Sequence, residues 1–313
     1  MTDRGPAADV LVFGATSMVG SHFASTYRPG ISAAGRRVPS TPVRRFVTVD
    51  LGDSTGVEGC VTSSPETVIV NFAARTDVDG IERERPQEGT TPSGPAWKVN
   101  VTAVEAMARA AAKTGKYLIQ ISTDFVFDGR SGPYGEAAPR SPLSDRLSWY
   151  GWTKSVAEQA VTSANCRSAI VRIAYPYRTG FLGKLDFPHW VIDAYQRHAL
   201  PPLYSDQWMT PTWIPDVSRL LEHLVRSQPT GIFHVASSLR TSPLEFGRAL
   251  LEAVEGETPN VPASSILSAT APGRAPRPVQ GGLTCERLSE FGLKTTDWVE
   301  GLRLVADEVR RAR

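Results

Sequence analysis

The sequence predicts an α/β protein with a doubly wound parallel sheet and a smaller second lobe, because apolar strand-like runs alternate with helical patterns. Runs rich in Val and Ile are typical of strands that helices cover on both faces. The runs that predict strands are residues 9–13, 30–34, 46–49, 67–71, 117–122, 169–173 and 232–236. The helical patterns between them cover residues 17–27, 96–113, 150–163 and 217–227.

The smaller lobe is predicted where this alternation breaks down, around two Pro- and Gly-rich stretches at 201–202 and 271–278. A ligand is expected in the cleft between this lobe and the carboxyl ends of the strands. The expected division is a Rossmann-type domain at 1–174 plus 212–236 and a substrate-binding lobe at 175–211 plus 237–313.

Composition excludes several classes of protein. A net charge of +2, with arginines spread along 313 residues, argues against a nucleic-acid partner. Cys60, Cys166 and Cys285 are widely separated and show no metal-ligand spacing, which favours a reducing compartment. The polar N-terminal arm leads straight into a strand, and no apolar run reaches membrane-spanning length. We therefore expect a cytoplasmic protein without a membrane partner.

A glycine-rich turn follows the first predicted strand and leads into a helix. Its first glycine permits a tight turn, its last permits close packing of helix on strand, and free N–H groups at the helix start favour a pyrophosphate. The spacing is GxxxxxG, with Ser17 where a middle glycine often stands. The turn predicts contacts with a dinucleotide cofactor from Gly14, Thr16, Ser17, Met18, Val19 and Gly20.

The next strand ends in Arg36 and Arg37 instead of an acid. An acid at this point accepts a hydrogen bond from a ribose 2′-hydroxyl, whereas an arginine accommodates a 2′-phosphate. NADPH is therefore favoured as cofactor, and NADH stays possible. The alternative is that both arginines are solvated surface. Asp50 and Leu51, after the third strand, are candidates to face the adenine, although Asp50 is equally well explained as a loop cap.

Tyr150 and Lys154 stand four residues apart on a predicted helix, so their side chains share one face. A lysine ammonium beside a phenol favours the phenolate and lowers a pKa that is ordinarily about 10. Tyr150 can then exchange a proton with a carbonyl or an alcohol, and the Thr123 hydroxyl can bind the same oxygen. Alone the pattern is weak, because such pairs are common on solvated helices.

Five features occur along the chain in an order that resembles the extended short-chain dehydrogenase/reductases: the Gly14 turn, the strand end at 71–74, Asn100, the Ser-Thr-Asp at 122–124 and the Tyr150–Lys154 pair. Within that superfamily the chain looks most like the dTDP-4-dehydrorhamnose reductase type. Four stretches point to this family over nearly the whole chain: 73–79 is similar to AAYTxVD, 122–129 to STDYVFDG, 206–212 to DQxGxPT, and Arg277-Pro278 with Leu293 and Trp298 to its C-terminal pattern.

The resemblance implies NAD(P)H-dependent reduction of a 4-keto group on a nucleotide-activated deoxysugar. Tyr150 would donate the proton, Lys154 would hold the nicotinamide ribose, and Thr123 would polarise the ketone. Asn100 would organise the helix and a proton-relay water. Ala73, Ala74, Arg75 and Tyr175 would join the cofactor contacts. The substrate contacts implied are Thr76, Val78, Thr123, Asp124, Phe125, Tyr150, Tyr175, Asp206 and Gln207.

The chain also departs from this family. Tyr175-Pro176-Tyr177 stands where WVYG is usual, and additional residues occur in 82–98 and 141–149. These regions fall near the expected mouth of the substrate site. We therefore expect a sugar other than the rhamnose precursor, namely a deoxysugar of a specialised glycoside.

Two other functions stay open at this point. A related dehydratase or epimerase would act on similar substrates, but dehydratases of this group typically carry an acid pair after the threonine, and here Asp124 is followed by Phe125. A non-catalytic regulatory subunit is possible, since the family resembles the regulatory subunit of a methionine adenosyltransferase. The five histidines show no ligand spacing, so no metal site is expected. A homodimer is possible.

Overall fold

The computed structural model describes residues 9–180, 185–257, 259–267 and 274–313. Within these ranges, seven parallel strands form one sheet: β1 Val10–Phe13, β2 Ser32–Gly35, β3 Arg45–Thr48, β4 Val68–Asn71, β5 Tyr117–Thr123, β6 Ser168–Ile173 and β8 Gly231–Val235. Their order in the sheet is β3-β2-β1-β4-β5-β6-β8. Every predicted strand is present, with its ends shifted by no more than two residues. The predicted Rossmann-type sheet is confirmed.

The α-helices are α1 Met18–Thr26, α2 Ser54–Ser63, α3 Val78–Glu82, α4 Pro95–Trp97, α5 Ala103–Thr114, α6 Trp149–Ser163, α7 Phe187–Gln196, α8 Ile214–Ser227, α9 Pro243–Glu255 and α10 Trp298–Ala312. The predicted helix at 96–113 is not continuous, because a π-helical turn at Lys98–Thr102 joins α4 to α5. Short 3-10 helices occupy Asp124–Val126, Ser144–Arg146 and Arg287–Phe291. Each helix in the described residues is too short or too polar to cross a membrane.

Both faces of the sheet are covered, as continuous apolar strands require. Val10 and Val12 of β1 point into a core shared with α1 and α8, while Leu11 and Phe13 point into a core shared with α2, α5 and α6. This alternation is the two-residue period of a strand. The arrangement leaves the carboxyl ends of the strands open for a ligand.

The smaller lobe has an apolar core of its own, which α7, α9 and α10 build. Two short parallel strands, β7 Leu203–Tyr204 and β9 Ala263–Ser264, lie beside it. Leu288, inside the predicted range 237–313, packs instead against the core of the main sheet. The chain therefore crosses back to the sheet before it ends in α10.

A buried ion pair joins α6 to β6 of the sheet. Arg172 on β6 donates from Nε and Nη2 to the two oxygens of the Glu158 carboxylate, at 2.9 and 2.7 Å, and neither side chain is exposed by more than 1%. Arg140 approaches the same carboxylate at 3.6 Å, and His234 lies 3.3 Å from the Arg172 guanidinium. A charge pair of this kind is costly to break from one side, because the remaining charge is left without a partner.

We expect Glu158→Leu to lower the free energy of unfolding by about 3–5 kcal/mol, since it leaves the Arg172 guanidinium buried without its counter-charge. Denaturant unfolding at pH 7 measures this. The double variant Glu158→Leu/Arg172→Met should recover most of the loss. Gln159→Ala, at the next and exposed position of α6, serves as control and should shift stability by less than about 0.5 kcal/mol. A loss from Glu158→Leu no larger than that of the control would contradict the prediction.

Candidate active site

A cleft of about 1390 Å³ opens at the carboxyl ends of β1, β2, β4, β5 and β6, where the strand order reverses direction between β1 and β4. Such a switch point is where open α/β sheets bind ligands. Twenty of the residues that the sequence analysis selected line this cleft: Gly14, Thr16, Ser17, Met18, Val19, Arg36, Arg37, Asp50, Leu51, Ala73, Ala74, Arg75, Thr76, Val78, Thr123, Asp124, Phe125, Tyr150, Lys154 and Tyr175.

The glycine-rich turn is too tightly packed to accept a side chain at either of its two glycines. Gly14 has a φ of +79°, and a Cβ there would lie 2.6 Å from the Ala73 nitrogen. A Cβ on Gly20 would lie 2.3 Å from the Gly14 carbonyl oxygen, so Gly20 acts through close packing and does not line the cleft. Ser17 caps α1 by accepting from the Gly20 N–H at 3.1 Å, which explains a serine at the middle position.

A second observation fits a cofactor in the same cleft. The Ser122 hydroxyl is buried at the cleft wall and has no hydrogen-bond partner among the described residues. Buried polar groups are normally paired, so an unpaired one beside a large cleft marks a place for a ligand group. When bound, a nicotinamide dinucleotide would supply the hydride, and the glycine-rich turn would hold its phosphates.

The end of the cleft beside β2 and β3 carries exposed charges. Arg36 and Arg37 follow β2, are exposed, and line the cleft. Asp50 accepts from the Gly52 N–H at 2.8 Å, as a loop cap does, and it also lines the cleft. Its contact with an adenine stays a prediction.

Tyr150 and Lys154 are buried at the floor of the cleft, where Thr123 ends β5. The Lys154 ammonium donates to the Ile121 carbonyl oxygen at 2.8 Å, and burial lowers its pKa to about 8 against the opposing effect of Glu158. Burial raises the pKa of Tyr150, while hydrogen bonding with Thr123 acts in the opposite direction. The predicted lowering of the Tyr150 pKa by Lys154 is thus wrong for this structure, because desolvation dominates.

Asn100 lies behind the cleft wall, inside the π-helical turn. Its Oδ1 accepts from the Arg75 N–H at 2.8 Å, and its Nδ2 donates to the Arg75 carbonyl at 3.0 Å and to Thr153 Oγ1 at 3.1 Å. Thr153 in turn donates to the Tyr150 carbonyl at 2.7 Å. The expected role in organising the helix fits these bonds. Both amide hydrogens are committed to protein atoms, however, which argues against the expected relay water.

Asp124 is a buried carboxyl group on the cleft wall. Burial raises its pKa to about 6, although it accepts from the Gly282 N–H at 3.4 Å and from the Thr123 hydroxyl at 3.3 Å. A strongly shifted acid in a cleft is a typical feature of a functional site.

Two predicted substrate residues lie outside the cleft wall. Gln207 is buried and donates from Nε2 to the Tyr175 hydroxyl at 2.8 Å, so it reaches the cleft only through Tyr175. Asp206 accepts from the Ile266 N–H at 2.6 Å and from the Ser265 hydroxyl, which directs its carboxylate to the chain beside β9. Tyr175 itself has a positive φ of 43°, a strained backbone conformation that favours a role at the site.

Further residues with charge or an aromatic ring line the cleft and were not assigned to the site by the sequence analysis: Phe46, Phe72, Lys98, Asp186, Phe187 and Arg277. Of these, Phe72 and Arg277 stand in stretches that carry the family resemblance, the strand end at 71–74 and the Arg-Pro motif. Pro95 and Lys98 of the additional segments 82–98 and 141–149 line the cleft. The expectation that these segments lie near the substrate mouth stays a prediction.

Residues of the additional segments 82–98 and 141–149 contact one another around the start of α6. Glu82 accepts from the Trp149 N–H at 2.6 Å and contacts Arg85, whose Nη2 donates to the Leu147 carbonyl at 2.7 Å. The Trp97 and Trp149 rings stack at 5.6 Å, and the Arg85 guanidinium lies 5.5 Å above Trp149. These contacts fix Trp149, which directly precedes Tyr150 in the sequence.

The fold and the cleft together define an oxidoreductase of the short-chain dehydrogenase/reductase class. The family model described as the RmlD substrate binding domain matches residues 8–311, and the chain belongs to this family. It is an NAD(P)H-dependent oxidoreductase. Among the described residues, no group of acidic, histidine and cysteine side chains is arranged to hold a metal ion.

Individual relatives agree with this family. The dTDP-4-dehydrorhamnose reductase of Mycobacterium tuberculosis is 30% identical over 292 residues, covering 92% of this chain and 89% of the relative. Methionine adenosyltransferase 2 subunit beta of Xenopus tropicalis is 28% identical, covering 95% of this chain and 87% of the relative. The structure of dTDP-4-dehydrorhamnose reductase from Bacillus anthracis in complex with NADP has a TM-score of 0.78 at 24% identity, covering 96% of this chain and 99% of that one.

We expect Asp124→Asn to raise the free energy of unfolding at pH 8 by about 1–3 kcal/mol. The folded-state pKa of Asp124, about 6, lies above the ordinary value of 3.8, so the wild type loses stability as pH rises between those values. The gain from the asparagine should therefore vanish below pH 4. Thermal unfolding of both proteins from pH 4 to 8 measures this, and a difference that does not change with pH would contradict it.

Proposed function

We propose that the protein reduces a 4-keto group on a nucleotide-activated deoxysugar, in the first instance a dTDP-linked one, with NADPH as reductant. The observation that carries this proposal is the convergence of Thr123, Tyr150 and Lys154 on one cleft beside the glycine-rich turn. Family membership supports the same reaction class. NADH is a possible substitute for NADPH.

In this proposal the Tyr150 hydroxyl gives its proton to the ketone oxygen as the hydride arrives at the carbon. Thr123 lines the cleft together with Tyr150 and would polarise the same oxygen. A tyrosine with a raised pKa in the free protein is a well-protonated donor, which suits the reductive direction. Lys154, whose ammonium is already fixed by the Ile121 carbonyl, supplies positive charge that stabilises the phenolate as it forms.

The sugar is proposed to lie against the wall that Thr76, Val78, Asp124, Phe125 and Tyr175 form. This wall mixes apolar and aromatic surface with a few polar groups, as sites for small ligands commonly do. Tyr175 is held by Gln207 and contacts the Phe187 ring edge-on at 6.3 Å. Because Tyr175 replaces the usual residue of the family pattern, we propose that it adapts the site to a sugar other than the rhamnose precursor.

We expect Tyr150→Phe to lower kcat with a dTDP-4-keto-6-deoxysugar by about 10²–10⁴-fold, since the reaction then lacks its proton donor. NADPH oxidation at 340 nm, with a panel of enzymatically generated keto sugars, measures this. Tyr117→Phe is the control, because Tyr117 is buried at the opposite end of β5 from Thr123 and its hydroxyl donates to the Pro229 carbonyl oxygen.

The same assay separates the competing functions. Conversion of the sugar without net NADPH oxidation would indicate an epimerase. Tight NADPH binding without turnover of any keto sugar would indicate a regulatory subunit, and would refute the proposed reduction.

We expect Arg36→Ala and Arg37→Ala to weaken NADPH binding by about tenfold to a hundredfold, because each removes a charged donor proposed for the 2′-phosphate. NADH binding should change by less than about threefold. Fluorescence titration of both cofactors measures the two dissociation constants. Arg109→Ala, on the outer face of α5, is the control. Equal losses for both cofactors would show that the arginines do not read the 2′-phosphate.

A further inference from the structure

Arg178 is a buried arginine that lies behind the glycine-rich turn. It follows the cleft-lining Tyr175 and Pro176, and it stands at the fourth position of the WVYG pattern, where the family usually has glycine. The residue is only 4% exposed. Its Nη1 donates to the Met18 carbonyl oxygen at 3.0 Å and to the Ser21 hydroxyl oxygen at 3.3 Å. A cation that the family pattern lacks therefore contacts the first turn of α1.

The charge of Arg178 is not matched by a contacting carboxylate. Within the described residues, Asp186 is the acid whose charge acts on Arg178, yet it accepts from the backbone N–H of Arg178 and not from the guanidinium. The Nε and Nη2 groups of Arg178 have no acceptor in the same part of the chain. Burial lowers the pKa of Arg178, although a guanidinium stays charged in proteins.

Such a cation is costly, because buried charges are normally paired. The cost is offset when an anion binds nearby. The unpaired guanidinium therefore indicates that the first turn of α1 is prepared for an anionic ligand group.

The Met18 carbonyl belongs to the same planar peptide group as the Val19 N–H. Met18 and Val19 both line the cleft, and their N–H groups have no acceptor among the described residues. A charged donor on the carbonyl oxygen polarises the peptide group and strengthens its N–H as a donor. Arg178 thus adds to the positive potential that the start of a helix already provides for a phosphate.

The smaller lobe holds the backbone of Arg178. Its N–H donates to Asp186 Oδ2 at 3.1 Å, and Asp186 caps the start of α7. Two residues further on, the Gly180 N–H donates to both carboxylate oxygens of Glu308 on α10, at 2.9 and 2.7 Å. The guanidinium is therefore brought to α1 from a segment that α7 and α10 anchor.

We propose that Arg178 is a positioning residue for the cofactor, whose buried charge strengthens the hold of the α1 start on the pyrophosphate of NADPH or NADH. Arg178 is not among the residues that line the cleft, so it acts through the Met18–Val19 peptide group and not by contact. Both cofactors carry the pyrophosphate, so both should gain equally. In this respect Arg178 differs from Arg36 and Arg37, which are proposed for the 2′-phosphate of NADPH alone.

The test compares cofactor binding to full-length variants by fluorescence titration. We expect Arg178→Met, which removes the charge but keeps much of the volume, to raise the dissociation constants of NADPH and NADH alike, by about threefold to tenfold. Arg178→Lys should recover most of this loss, because an ammonium keeps the charge and can donate to the Met18 carbonyl. Arg226→Met removes an exposed arginine that is paired with Glu222 on α8, and as the matched control it should change either constant by less than about twofold.

Thermal unfolding of the ligand-free proteins separates this role from a structural one. Arg178→Met removes a buried charge without a close counter-ion, so its unfolding temperature should equal or exceed that of the wild type. If Arg178 served only to latch the smaller lobe to α1, the ligand-free variant would unfold at a lower temperature or fail to fold. That result would overturn the proposal.

The binding data can also contradict it. Wild-type affinity for both cofactors in Arg178→Met, or a loss for NADPH alone, would show that the charge does not act on the pyrophosphate. A loss that Arg178→Lys shares in full would show that the charge is not the cause. These measurements use no sugar, so their outcome is independent of the proposed reduction of a keto sugar.

Discussion

The bond between the Lys154 ammonium and the Ile121 carbonyl oxygen ties α6 to the end of β5 inside the protein. Tyr150 lies one helical turn before Lys154, and Thr123 lies two residues after Ile121, so this bond sets the separation of the two hydroxyl groups. The helix can approach the strand end because residue 151 is a glycine: a Cβ there would lie 2.2 Å from the Phe125 carbonyl oxygen. The geometry of the candidate site thus depends on the buried Lys154 ammonium and on the absence of a side chain at Gly151.

Burial of these polar groups lowers the stability of the fold, and contacts elsewhere in the protein offset the loss. Burial pushes Lys154 and Asp124 toward their neutral forms, and the Ser122 hydroxyl is left without a partner in the described chain. Each of these groups lies on the cleft wall and is poised for a ligand. The Arg172–Glu158 pair lies close to these groups and is fully bonded: Glu158 is one helical turn beyond Lys154 on α6, and Arg172 on β6 pairs in register with Ser122 on β5. Groups poised for a ligand and a fully bonded ion pair are therefore neighbours along α6 and across β5 and β6.

The strands and most cleft residues were predictable because both follow from local patterns: continuous apolar runs, and functional residues placed where those runs end. Asp206 and Gln207 were expected to contact the substrate, and Asn100 to organise the helix and a relay water. Their polar groups instead bond to protein atoms through long-range contacts that no local pattern encodes. Arg277 escaped assignment for the same reason, since its partner Asp79 is remote in sequence. The pKa of Tyr150 was predicted with the wrong sign because burial cannot be read from a Tyr–Lys spacing.

The residues that depart from the family pattern contact two different parts of the protein. The additional residues around Glu82 and Trp149 act on the start of α6 and leave most of the cleft wall untouched. They reach Tyr150 through its neighbour Trp149, whereas Pro95 and Lys98 of the same segments line the cleft directly. Tyr175, which also differs from the family pattern, lies on the cleft wall and is held in place by Gln207. The departures from the family pattern therefore act at two separate places, the start of α6 and the cleft wall.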